Sequence, residues 1–362
     1  VSVSAAKAKL GWAVLHVLTR RRFDALKGAY GDLSEAWTEF SPGMLRELGV
    51  KEEAIPEKIT HQQTLDLEAL ERQLQEQEIV VLSMGDAGFP PSLLEIHDPP
   101  VLLFAKGDLA VLRHPCVSLV GTRAMSGYGR RIVEHLVPSL VASGVTTVSG
   151  LAHGVDSEVA MVTLASGGRT VAVLGHGLSV YTPREKALMD RIVGKGGLLL
   201  TEYPLDYAPS RFTFPERNRI IAGLSLGTVI VEAAESSGAL ITASLALEMG
   251  REVFAVPGAI FDGNFKGCHN LIARGGAKLI VSAEEILEDL GMRVGVGGEA
   301  NAFQPRSKEE EIVYGALTAM PQALDDLVET LNVPTSKVSS TLTVLELRGV
   351  VKNVGAGQWV RV

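Results

Sequence analysis

The residues able to do chemistry sit in short Gly-rich stretches, each placed after an apolar run. After Val117–Val120 comes Gly121-Thr122-Arg123-Ala124-Met125-Ser126-Gly127-Tyr128-Gly129, then a helical pattern opening on Arg130-Arg131. Glycines in such a turn let backbone N–H groups point inward, and a helix start adds unpaired N–H groups and a positive dipole end. Arg123 supplies a planar fork for phosphate oxygens, and Thr122 and Ser126 supply hydroxyls. The pattern fits a phosphate cradle; a purely structural turn is the competing reading. The spacing is not Gly-x-Gly-x-x-Gly, and the next apolar run ends Val148-Ser149-Gly150 without an acid, so no NAD or FAD site is expected. The P-loop pattern is absent as well.

The second stretch runs Ser149-Gly150-Leu151-Ala152-His153-Gly154-Val155-Asp156-Ser157. Ser149, His153 and Asp156 invite a hydrolytic triad. Triad members usually come from separate elements, however, and these fall within eight residues. Asp156 reads better as a helix N-cap, and His153 as an anion contact or a surface residue. Gly175-His176-Gly177 follows a third apolar run, with Tyr181, Arg184 and Lys186 beyond it. Further on, Arg211, Arg217, Asn218 and Arg219 interleave with Phe212 and Phe214. Arginines among aromatics suit single-stranded nucleic acid, because bases stack on rings while cations hold the backbone. Burial of the phenylalanines and salt bridging of the arginines are the alternatives. No catalytic residue and no cofactor is assigned.

These stretches need a scaffold. Apolar runs at Ile79–Leu82, Val117–Val120, Thr146–Val148, Thr170–Leu174, Leu198–Leu200, Thr228–Val231 and Val253–Val256 alternate with helical patterns such as Arg130–Leu140, Glu158–Ala165 and Thr242–Met249. That alternation predicts an α/β fold, a parallel sheet covered on both faces, with ligands beyond the carboxyl ends of its strands. Residues 1–78 read as short helices, with Leu10, Val14, Leu15 and Leu18 at helical spacing. Residues 79–290 form the sheet domain and residues 291–308 a Gly-rich, then polar, linker. Residues 309–362 read as three helices and a β-hairpin, the order of a winged helix. Its candidate recognition helix, Ser336–Leu347, offers only Lys337 as a cation, which favours a protein contact over duplex DNA.

Composition narrows the classes. At 46 % hydrophobic and 21 % charged residues, the 362-residue chain is neither disordered nor fibrous. The net charge of −8 does not announce a nucleic-acid binder, yet 12 Lys and Arg face 8 Asp and Glu between Arg113 and Arg219. A basic middle in an acidic chain points to a local anion site. The 2 cysteines, Cys116 and Cys268, form no disulfide framework and no zinc-site spacing. The longest uncharged stretch, between Glu134 and Asp156, is broken by Pro138, Gly144 and Gly150 and is not a membrane span. No signal peptide is evident, and a soluble, cytoplasmic protein is expected.

Together these residues resemble the DNA-processing protein A (DprA/Smf) family. The resemblance covers about residues 88 to 290. It rests on Phe89-Pro90-Pro91-Ser92-Leu93-Leu94 and Val120-Gly121-Thr122-Arg123. It rests further on Ser149-Gly150-Leu151-Ala152 and Phe214-Pro215-Glu216-Arg217-Asn218-Arg219-Ile220-Ile221-Ala222-Gly223. Val231-Glu232-Ala233, Ser237-Gly238-Ala239-Leu240-Ile241-Thr242 and Gly250-Arg251-Glu252-Val253-Phe254-Ala255-Val256-Pro257-Gly258 complete it. The family implies an extended Rossmann-like domain that binds single-stranded DNA without turnover and hands it to the RecA recombinase during natural transformation. It also implies an N-terminal SAM-like or helix-hairpin-helix-like module, a C-terminal winged helix, and a homodimer that meets RecA on a face over roughly 240 to 275.

By the resemblance, Gly121, Thr122, Arg123, Ser126, Ser149, Gly150, Arg217, Asn218 and Arg219 line the DNA groove. His153, Arg184, Lys186, Arg211 and Phe214 join them as candidates. The chain departs from the family at Tyr181-Thr182-Pro183-Arg184-Glu185, where a Tyr-Pro-x-x-Asn pattern is usual, and at His153, where a basic residue is common. The rival reading is a nucleoside-monophosphate hydrolase of the lysine-decarboxylase-like (LOG) group, with Glu202, Glu232 or Asp156 as acid or base. That group's Pro-Gly-Gly-x-Gly-Thr signature is missing; Val256-Pro257-Gly258-Ala259 is the nearest match.

Overall fold

A computed structural model describes residues 4–292, 305–317, 322–331, 333–355 and 357–361. The chain divides into two compact units, 1–296 and 297–362.

The first unit opens with short helices, among them Ala5–Leu15, Arg20–Tyr30, Leu33–Thr38 and Leu67–Glu76. Helices this short hold because Ser4, Thr19, Asp32 and Asp66 each accept an N–H of the first turn. Trp12 and Trp37 meet edge to face at 5.5 Å between ring centres. A Cβ on Gly11 would overlap the Trp37 indole, so glycine is required there. Trp12 and Trp37 share one apolar core with Phe104 and Leu199 of the sheet, so the segment 1–78 packs against the sheet domain rather than standing apart from it.

The sheet has nine strands: β1 Ile79–Ser83, β2 Leu102–Gly107, β3 Cys116–Val120, β4 Thr146–Ser149, β5 Thr170–Val173, β6 Leu198–Thr201, β7 Gly227–Ile230, β8 Glu252–Ala255 and β9 Lys278–Leu279. Their order is β1-β2-β6-β5-β4-β3-β7-β8-β9. The run from β6 to β9 is parallel, while β1 and β2 join antiparallel at one end. Successive residues of one strand feed different cores: Val171 and Val173 pack in one cluster, Ala172 and Leu174 in another. This two-residue period is what burial of both sheet faces requires.

The chain steps outward from β3 through β4, β5 and β6, then returns to place β7 on the other side of β3. Val117 therefore faces Thr147 of β4 on one side and Gly227 of β7 on the other. A crevice opens beyond the carboxyl ends of β3 and β7, where such a reversal splays the loops apart.

The second unit contains helices Lys308–Ala316, Leu324–Leu331 and Thr335–Leu347, and strands β10 Gln322–Ala323, β11 Val351–Gly355 and β12 Gln358–Arg361 in the order β10-β12-β11. Val313, Leu327, Val338, Leu342, Leu345 and Trp359 form its core, and Arg348 pairs with Glu310. This is a winged helix. Residues 293–304 of the expected linker lie outside the described residues. Among the described residues no helix is long and apolar enough to cross a membrane.

Candidate nucleic-acid interface

Beyond β3 and β7 lies a cleft of about 560 Å³. One wall is the loop after β3. A Cβ on Gly121 would stand 2.6 Å from a Val155 methyl and 2.9 Å from the Glu232 carbonyl, so only glycine lets the loop leave the sheet here. The Thr122 N–H donates to the Glu232 carbonyl at 2.8 Å, and the Thr122 carbonyl accepts from the Val155 N–H at 3.2 Å. Arg123 is thereby held exposed at the rim. Its guanidinium lies 5.1 Å from the centre of the Phe214 ring, a stack that orients the fork and leaves its N–H groups outward. Arg211 stands exposed on the same cleft, 4.7 Å over the ring of Phe212, which is 60 % exposed. Asn218 lines the cleft beside them.

Two opposite charges, Arg217 and Asp156, are buried on the cleft floor. Arg217, 4 % exposed, and Asp156, 7 % exposed, lie beneath the loops. Arg217 Nη1 donates to the carbonyls of Val173 and, at 2.7 Å, Gly150. A Cβ on Gly150 would overlap this guanidinium. The Asp156 carboxylate accepts the Gly150 N–H at 3.0 Å. Burial pushes the Asp156 carboxyl up; the Arg217 charge and the N–H groups of Gly150, Ala152 and Gly121 pull the other way. Burial lowers Arg217 to about 10, with Asp156 opposing. Both side chains thus hold Gly150, and Arg217 joins the loop after β4 to the end of β5. Ser149 is fully buried, its hydroxyl donating to the Asp156 carbonyl at 3.2 Å.

Several expectations change in this setting. Asp156 is not the helix N-cap. Gly154 holds that place, with φ +91° and no side-chain cap, and the helix Val155–Ala165 begins after it. Ser149, His153 and Asp156 do not assemble as a triad, because the His153 ring hydrogen-bonds the Arg123 carbonyl at 2.9 Å instead. Nor is the start of the helix Gly127–Ala142 open to a phosphate. Ser126 caps it and turns inward, donating both its N–H (3.0 Å) and its hydroxyl (2.9 Å) to Glu232, which is fully buried.

Arg219 faces carboxylates, Glu202 at 2.6 Å and Asp98 at 3.2 Å. Burial raises Glu202, and the Arg219 charge opposes the rise. His153 and Arg184 line a separate cleft of about 320 Å³, with Leu151, Thr182 and Arg191. Leu151 there adopts φ +57°, a left-handed backbone uncommon outside glycine. The unusual stretch Tyr181–Glu185 is a helix start: Thr182 and Glu185 form a reciprocal capping box before the helix Pro183–Gly194. Lys186 lines neither cleft and pairs with Asp190 at 2.6 Å.

The far wall of the first cleft was missed in the sequence. Ser236, Ser237, Gly238 and Thr242 line it at the start of the helix Ala239–Glu248, which carries no cap beyond Ser237 Oγ accepting the Ala239 N–H at 3.3 Å. The signal was present: Ser-Ser-Gly ahead of a helical run after β7 follows the rule applied to residues 121–129. Among the described residues no cluster of three or more His, Cys, Asp or Glu is arranged to hold a metal ion. Both cysteines are buried, which pushes the Cys116 thiol up to about 12 and Cys268 to about 11.

Comparison with known proteins agrees with this architecture. Residues 80–291 match the family model of DNA recombination-mediator protein A, and residues 299–357 that of the DprA winged helix domain. The DNA processing protein DprA of Streptococcus pneumoniae is 45 % identical over 207 residues, which are 57 % of this chain and 73 % of that protein. The X-ray structure of DNA processing protein A from the same species superposes with a TM-score of 0.67 at 36 % identity, covering 80 % of this chain and 99 % of that one. DNA processing protein A of Helicobacter pylori, a structure concerned with its single-stranded DNA binding mode, gives a TM-score of 0.53 at 27 % identity over 59 % of this chain and 95 % of that one. A family model covering more than half the chain, and the sheet and winged helix it calls for, place this chain in the DNA recombination-mediator protein A (DprA) family.

Proposed function

We propose that this chain is a cytoplasmic, non-enzymatic recombination mediator that binds and protects incoming single-stranded DNA and loads RecA onto it during natural transformation. The observation that carries the reading is Arg123, exposed on the Phe214 ring at the rim of the switch-point cleft, with Arg211 on the same rim. Cations on aromatic platforms hold a flexible backbone and stack its bases. Contacts to phosphate position a strand without reading it, so sequence preference is low. Gly121, Thr122 and Asn218 line the groove directly. Gly150, Ser126, Ser149, Arg217 and Arg219 shape it from beneath. His153 and Arg184 meet the strand in the second cleft, and Lys186 lies outside both.

A nucleotide hydrolase is the weaker reading. Its three candidate carboxylates are each engaged within the chain: Asp156 on Gly150, Glu202 on Arg219 and Glu232 on Ser126. The homodimer and the RecA contact belong to the face over roughly 240 to 275, where Ile241, Leu247, Ile260 and Phe261 are exposed. On the winged helix, Leu347 is 85 % exposed at the end of the candidate recognition helix, which suits a protein partner.

Titrating a labelled oligo-dT against the same-length duplex at several salt concentrations tests the proposal. Four neutralised phosphates give a slope of log K on log salt of about −3. Equal duplex binding, or release of free base from nucleoside monophosphates, favours the rival.

A further inference from the structure

Doubly wound sheets carry a nucleotide's phosphate at the start of the helix that follows the central strand. Here that strand is β3 and that helix Gly127–Ala142. The chain fills the place itself. Glu232, two residues beyond β7, is fully buried. Its Oε2 accepts the Ser126 N–H at 3.0 Å and the Ser126 hydroxyl at 2.9 Å. The same hydroxyl oxygen accepts the Gly129 N–H at 3.0 Å. A Cβ on Gly129 would overlap Oε2, so no ligand atom fits between the carboxylate and the first helical turn. Asp156 accepts the Gly150 N–H and Glu202 pairs with Arg219; the side-chain contacts of Glu232 are instead to Ser126, where the positive helix end favours an anion.

We propose that Glu232 is a specificity determinant, a built-in anion that occupies the phosphate station of this fold. It denies that station to the phosphate of a free nucleotide and leaves the rim cations of the neighbouring cleft to a polynucleotide strand. Gly129 and Ser126 of the β3 loop seat this carboxylate. The inference rests on the strand-binding reading only for what the exclusion achieves; occupation of the station by an anion is measurable without DNA.

The test uses the full chain as wild type, Glu232→Ala and Glu232→Asp, with inorganic phosphate, dTMP and acetate as probes at constant ionic strength. Glu232→Ala should bind inorganic phosphate at least tenfold more tightly than wild type in calorimetry. Its unfolding temperature should rise with phosphate or acetate relative to chloride. Wild type and Glu232→Asp, which keep the charge, should show neither gain. If Glu232→Ala does not fold in chloride, its recovery on refolding in phosphate or acetate replaces the calorimetry. The proposal is overturned if Glu232→Ala shows no anion gain and no recovery, if Glu232→Asp gains as much, or if wild type binds dTMP as tightly as Glu232→Ala. Failure of wild type to bind oligo-dT would instead remove the strand reading and leave the anion result standing.

Discussion

At the rim of the switch-point cleft, Arg123 and Arg211 stand over aromatic rings at 5.1 and 4.7 Å. On its floor Arg217 is 4 % exposed, and outside the cleft the Arg219 side chain is 15 % exposed against Glu202 and Asp98. All four are arginines, three of them within nine residues. What separates them is the partner. A ring leaves a guanidinium its charge and its outward donors, which an incoming phosphate can take. Arg217 gives its Nη1 to the Gly150 and Val173 carbonyls and Arg219 its charge to two carboxylates, so both act through the segments they tie down. On the proposed function the rim is the contact surface and the floor is its mould.

The sharpest way to break this contrast is at the floor. Arg217→Ala leaves the Gly150 and Val173 carbonyls without their charged donor and should cost roughly 1.5–3 kcal/mol of stability for each bond lost, read from urea unfolding. If stability hardly changes while the salt dependence of strand binding falls, Arg217 belongs to the rim.

The rim should behave in the opposite sense. Arg123→Ala is expected to leave the urea midpoint nearly unchanged, since exposed substitutions usually stay within about 0.5 kcal/mol. It should weaken every strand sequence alike by about tenfold and reduce the salt slope by about 0.7, the share of one phosphate on a single strand. Loss confined to one sequence would contradict a backbone contact.

A smaller effect is set by pH. Burial raises the Asp156 carboxyl above its ordinary value of 3.8. A carboxyl raised on folding contributes fully below its unfolded value and loses that contribution as pH rises through the folded one. Wild-type stability should therefore carry a decline through this group from about pH 4 upward. Asp156→Asn should be less stable yet show a flatter urea midpoint across that range; an unchanged pH profile would remove burial as the dominant influence on this carboxyl. The smallest change is expected at His153, whose ring touches the Arg123 carbonyl. His153→Ala should weaken strand binding by about twofold to threefold, less than one charged phosphate contact, and a larger loss would make the second cleft the main site.

Much of the scaffold was legible because a parallel sheet buried on both faces reads as near-continuous apolar runs. The runs at β3 to β8 follow that rule. β9 did not show itself because it is two exposed residues, Lys278 and Leu279, too short to carry a period. β2 did not, although Leu102–Ala105 is buried, because its antiparallel place between β1 and β6 breaks the strand–helix alternation that served as the guide. The turns were legible from glycine and serine. Their contents were not. Glu232 reaches Ser126 from 106 positions along the chain, and Arg217 and Arg219 look alike until the topology brings Asp156 under one and Glu202 beside the other. Asp156 misled because a carboxylate near a helix start usually caps it; here the backbone enters the helix through Gly154, and the carboxylate turns beneath the loop.

The central claim is that the exposed rim of this cleft holds the phosphates of a single strand. Its most direct test is the salt dependence of oligo-dT binding for wild type and Arg123→Ala, with the same-length duplex alongside. The expected result is a strand preference with a slope of about −3 in wild type and about −2 in Arg123→Ala. A slope near zero, or one that Arg123→Ala leaves untouched, would contradict it.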